Sequence, residues 1–171
     1  VCLLGNHEAC LLEFLVNPDM LAQWRQFGGL QTLMSYGLTP SPNPDAEERR
    51  ALAQALVHQM PPAHLAFLRS LPICYVHSRY FFVHAGVRPG IALNQQRRED
   101  LLWIRDDFLM SEDDFGKVVV HGHTPVHEAE LLHNRINVDT GAYATGRLTC
   151  VKLEGARRSL MMTGDRAARH G

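Results

Sequence analysis

The sequence predicts a layered α/β fold, and three observations carry that prediction. Helix-spaced apolar residues fill the first part of the chain, with Leu11, Leu12 and Leu15 on one helical face. Short β-branched and aromatic runs take over after residue 72. At four places an apolar run gives way at once to glycine and ligand-type polar residues: Gly5-Asn6-His7-Glu8, His84-Ala85-Gly86, His121-Gly122-His123-Thr124 and Asp139-Thr140-Gly141. Loops at strand ends are where layered α/β folds assemble their sites.

The elements follow in order. Val1–Leu4 reads as a short buried strand that breaks at Gly5-Asn6. Glu8–Val16 reads as a helix ended by Pro18, and helical segments follow over Met20–Phe27 and Leu30–Tyr36, separated by Gly28-Gly29. Thr39–Asp45, with three alternating prolines, is the clearest loop. Asp45 can cap a helix over Ala46–Gln59, and Pro61-Pro62 opens a shorter one ending near Ser70. Ile73–Val76 and Tyr80–Val83 form a candidate hairpin. Helical segments lie between Arg97 and Leu109. Strands are expected at Val118–Val120, Glu128–Leu132, Arg135–Val138 and Leu148–Leu153. No linker or internal repeat is visible; residues 1–155 read as part of one domain and residues 156–171 as a frayed polar tail.

Composition narrows the function classes. The 171 residues carry a net charge of -1 and 46% hydrophobic residues, which suits one compact domain. That balance disfavours nucleic acid or an anionic membrane as partner. No apolar run reaches the roughly 18–20 residues needed to span a bilayer. Four scattered cysteines without a CxxC pair indicate neither a disulfide framework nor a zinc knuckle, and fit a reducing, cytoplasmic setting.

Three of the four strand-end spots supply histidine, the commonest metal ligand, and their glycines let backbone approach an ion or phosphate. A metal or phosphate site built from separate strand ends follows from residue type and position. Each residue also has a plainer role open to it. Asn6 and His7 could be a simple turn opening a helix, and His84 a satisfied core histidine. His121 suits packing or support of a ligand. Arg105 could pair with Asp106 or Glu99, and Asp139 could be an ordinary turn residue.

Leu-Leu-Gly-Asn-His-Glu, Phe-Val-His-Ala-Gly-Val and Val-Val-His-Gly-His-Thr-Pro, in this order, resemble the calcineurin-like metallophosphoesterases. Leu101-Leu-Trp-Ile-Arg-Asp-Asp-Phe108 and Asn137-Val-Asp-Thr-Gly-Ala142 narrow the resemblance to the bacterial serine/threonine protein phosphatase branch. It covers Val1 to about Glu154. It implies an αββα sandwich of two mixed sheets flanked by helices, and a site for two divalent metals, manganese first and iron or zinc as alternatives. Asn6, His84 and His123 match the family's second-metal ligands. His7 matches the acid that protonates the leaving oxygen, with Glu8 orienting it. Arg105 matches the phosphate-clamping arginine, while His121 and Asp139 would support the ligands.

Two earlier family motifs, GDxHG and GDxxDRG, do not occur in the sequence. They would bring the first-metal ligands, the bridging aspartate and the strands beside Val1–Leu4. The three matched metal ligands are all neutral. The expectation is therefore a fragment of a longer phosphatase, inactive or weakly active alone. The parent activity implied is hydrolysis of phosphomonoesters, with a phosphoprotein or small phosphoester as substrate. The alternatives are a symmetrical diadenosine tetraphosphate hydrolase and a non-catalytic remnant.

Overall fold

A computed structural model describes residues 1–163. Two compact units make up the chain, Cys2–Pro72 and the residues from Ile73 onward. The boundary falls just after a helix, where the sequence offers no linker.

The Cys2–Pro72 unit is helical. It comprises α1 (Asn6–Phe14), a 3-10 turn, α2 (Leu21–Trp24), a second 3-10 turn, α3 (Gly29–Ser35), α4 (Ala46–Gln59) and α5 (Pro62–Ser70). Its core gathers Leu11, Phe14, Leu21, Trp24, Leu33 and Leu56, with the Phe14 and Trp24 rings 5.7 Å apart. The Asp45 carboxylate accepts from the backbone N–H groups of Glu47 and Glu48 and caps α4, as its position in the sequence predicts. The proline-rich loop is tightly tethered. The Glu48 carboxylate accepts from both the N–H and hydroxyl of Ser41, and Arg49 donates to the Pro44 carbonyl.

The expected strand at Val1–Leu4 does not form. Among the described residues it has no neighbouring strand, and the Leu4 N–H bonds instead to the Pro72 carbonyl at 2.9 Å. A strand needs a ladder partner for its backbone groups, which apolar character alone does not provide.

The second unit is layered. A five-stranded mixed sheet has the order β1 (Cys74–His77), β2 (Tyr80–Val83), β3 (Val118–His121), β5 (Arg135–Asn137), β4 (Glu130–Leu131). β1 and β2 form the expected hairpin, while β2, β3 and β5 run parallel. Side chains alternate across these strands. Phe81, Val83 and Val119 face Leu101 of α6 (Arg98–Trp103), Phe108 of α7 (Asp106–Leu109) and Ile104 between the two helices. Tyr80, Val118, Val120 and Ile136 face the other way, towards Val151 and Leu153. Those two belong to an antiparallel hairpin of β6 (Thr149–Glu154) and β7 (Arg157–Met162), which follows the short α8 (Ala142–Thr145). Among the described residues this second sheet is two-stranded and antiparallel.

β7 also corrects the polar-tail expectation for Arg157–Met162. Arg-Arg-Ser reads as solvent-exposed sequence, yet the strand pairs residue for residue with β6. Residues 164–171 of that tail lie outside the described residues.

Candidate metal and phosphate site

Parallel strands place their carboxyl ends along one edge of the sheet. His84 follows β2, His121 ends β3 with Gly122 and His123 after it, and Asp139 lies just past β5. Four of the residues singled out in the sequence therefore share one sheet edge.

His84 and His123 meet. His84 Nε2 lies 3.0 Å from His123 Nδ1, and the rings stand edge to face with centroids 4.9 Å apart. A first-row divalent ion binds imidazole nitrogen at about 2.0–2.1 Å, so two nitrogens in adjacent positions on one ion lie about 3.0–3.4 Å apart. The pair therefore stands at the spacing of two adjacent metal ligands. It fits two positions of a coordination shell and supplies no negative charge. Among the described residues no group of three or more His, Cys, Asp or Glu side chains is arranged to hold a metal.

His123 adopts φ +66, in the left-handed region that non-glycine residues seldom visit. The Thr124 N–H donates to the Gly122 carbonyl at 2.7 Å, closing a γ-turn around it. Backbone held in this region concentrates at functional sites.

His121 is a packing residue in this structure. It is 2% exposed, its ring stands edge to face with Phe108, and burial lowers its pKa to about 4. Its Nδ1 faces the Gly122 carbonyl, and its buried Nε2 has no hydrogen-bond partner among the described residues. Asp139 serves as a turn residue: its carboxylate accepts from the Gly141 N–H and its carbonyl from the Val126 N–H.

Arg105 sits between α6 and α7. It forms no ion pair with Asp106 or Glu99 among the described residues, and its Nη1 donates to the Thr124 hydroxyl at a long 3.3 Å. The exposed guanidinium thus lies beside the loop that carries His123. The sequence reading passed over the residue that braces this arrangement. Arg88, four residues after His84, donates to Asp100 through Nε (2.9 Å) and Nη2 (2.6 Å), and to Asp107 through Nη1 (2.8 Å). The two carboxylates raise its pKa further. Gln96 holds the Arg88 backbone at both its N–H and its carbonyl. Gly86 lets the His84 loop approach α7, since a Cβ there would stand 2.3 Å from the Phe108 ring. The signal in the sequence is an arginine directly after the His84 motif, with aspartates on the following helices.

Asn6, His7 and Glu8 lie together at the start of α1 in the other unit. Asn6 is buried and His7 exposed, with the Phe27 ring edge-on at 6.5 Å. Glu8 accepts from the Gly5 N–H at 2.9 Å, so the bond seen closes the first turn of α1 instead of orienting His7.

The family model for calcineurin-like phosphoesterases matches residues 1–154. The chain belongs to this family. Curated relatives include asymmetrical bis(5'-nucleosyl)-tetraphosphatases (PrpE) from Bacillus thuringiensis and Bacillus mycoides. The first is 25% identical over 86% of this chain and 60% of its own length, the second 25% identical over 85% and 59%. The chain thus spans about three-fifths of the relatives it matches. A solved structure described as a candidate diadenosine tetraphosphatase superposes with a TM-score of 0.60 at 17% identity, covering 94% of this chain and 67% of that one. The shared fold confirms the family's layered α/β architecture. No helix among the described residues is long and apolar enough to cross a membrane.

Proposed function

We propose that the protein is a metal-dependent phosphoester hydrolase acting on dinucleoside tetraphosphates. The observation that carries the chemistry is the His84–His123 pair at 3.0 Å, beside an exposed arginine. Support for the substrate class comes from the relatives, whose names give tetraphosphatase activity. They are named asymmetrical, whereas the sequence suggested a symmetrical enzyme as its alternative.

In this reading His84 and His123 would hold a divalent ion. Bound metals of this kind neutralise charge on phosphoryl oxygens and supply a nucleophile near neutral pH. Arg105 binds two phosphate oxygens through its planar fork. His7 donates a proton to the leaving oxygen, a contribution of about 10²–10⁴-fold where that oxygen is a poor leaving group. The reducing, cytoplasmic setting expected from the cysteines stays part of this reading.

A serine alkoxide is a far poorer leaving group than a nucleotide phosphate, so the two substrate classes depend differently on His7. The purified protein with Mn²⁺ is presented with diadenosine tetraphosphate and with a phosphoserine peptide, and the products are separated. The tetraphosphate is expected to be cleaved at least tenfold faster, with His7→Ala slowing the peptide reaction more. Preferential cleavage of the peptide would return the protein to the protein-phosphatase reading. Hydrolysis undiminished by His123→Ala would remove the proposed site.

A further inference from the structure

His123 is held in an unfavourable backbone conformation, and something must hold it there. The β3–β5 ladder ends at the pair His121 and Asn137, with the Val138 N–H bonded to the His121 carbonyl at 3.0 Å. Beyond that point the two chains separate into the His123 turn and the Asp139 turn. The Asn137 side chain takes over where the backbone ladder stops. Its Nδ2 donates to the Thr124 carbonyl at 2.9 Å, and its Oδ1 accepts from the Asp139 N–H at 3.0 Å. The residue is 0% exposed. The amide orientation follows from its partners, because the flipped form would set acceptor against acceptor and donor against donor.

We propose that Asn137 is the positioning residue for His123: its buried amide pins the γ-turn so that His123 Nδ1 faces His84 Nε2. The side chain fixes the carbonyl immediately after His123, while the Thr124 N–H fixes the carbonyl immediately before it. Asp139 is locked to the same amide and lies against Gly122, where a Cβ would meet Asp139 Cβ at 3.3 Å. A side chain without a donor at this position leaves a buried carbonyl unpaired and the turn free to relax. The consequence for metal affinity rests on the metal-site reading above; the consequence for the histidine pair does not.

The test is imidazole nitrogen NMR on the full 171-residue chain, first without metal and then titrated with Zn²⁺. Wild type should show one donor and one acceptor nitrogen for the His84–His123 bond. Asn137→Ala should abolish that signature and weaken Zn²⁺ binding about tenfold or more. Should this variant fail to fold, Asn137→Ser, which keeps a hydroxyl of shorter reach, gives the same reading. Ile136→Val, one residue earlier and equally buried, controls for lost packing and should lower stability with the signature intact. The proposal is overturned if the signature survives either Asn137 change, or if Ile136→Val disturbs it equally. Wild type that shows the signature but takes up no Zn²⁺ removes the metal reading and leaves the role of Asn137 standing.

Discussion

At the scale of single residues, two histidines one position apart from a shared glycine have opposite fates. His123 turns out to face His84, while His121 points into the core beside Phe108. The two side chains differ in environment. Burial depresses the His121 pKa from 6.5 to about 4, which has a consequence for stability. The unfolded chain takes up a proton near pH 6.5 that the folded chain refuses until about pH 4. Stability is therefore full above pH 6.5 and falls as pH drops through that window, by about 3 kcal/mol at its lower end. Urea unfolding at pH 7 and pH 4.5 should show a clearly smaller difference in His121→Asn than in wild type. Equal differences would mean that His121 is protonated in the folded state.

Other residue roles were only partly legible. The family resemblance implies that Glu8 orients His7, but position N3 of a helix puts its carboxylate within reach of the Gly5 N–H. Asn137 opens the Asn137–Ala142 motif, which by itself assigns it no role. Its importance depends on which loop lies across the ladder, a long-range fact that local sequence does not contain.

At the scale of elements, periodicity and capping located most helices and strands. α4 follows Asp45, α5 opens at Pro62, and β1, β2, β3 and β5 fall within a residue or two of expectation. The failures share a physical cause, since strand formation depends on a partner. Val1–Leu4 is apolar and has no strand partner among the described residues, while Arg157–Met162 is half polar and paired through its full length. Arg88 ties elements together in a way no single segment reveals. It links the His84 loop to α6 and α7, and so fixes the two helices that flank Arg105. Arg88→Ala should speed amide hydrogen exchange in α6 and α7 while leaving β3 protected. Unchanged exchange in those helices would show that Leu101 and Phe108 packing alone holds them.

At the scale of the whole molecule, the motifs point to the family and the strand-end pattern to the layered fold. The division at Pro72 and Ile73 was not legible, because the chain passes from helix to strand there without a glycine- or serine-rich stretch. Substrate choice was least legible: the motifs serve hydrolysis of phosphoesters and phosphoanhydrides alike, and the tethered loop at Thr39–Asp45 carries no recognisable motif. The proposed hydrolysis depends on a divalent metal held by His84 and His123. Titration calorimetry with Mn²⁺ on wild type, His84→Ala and His123→Ala measures that binding. Saturable binding in wild type should weaken at least tenfold in each variant; a wild type that binds no metal, or variants that bind as wild type does, would rule the site out.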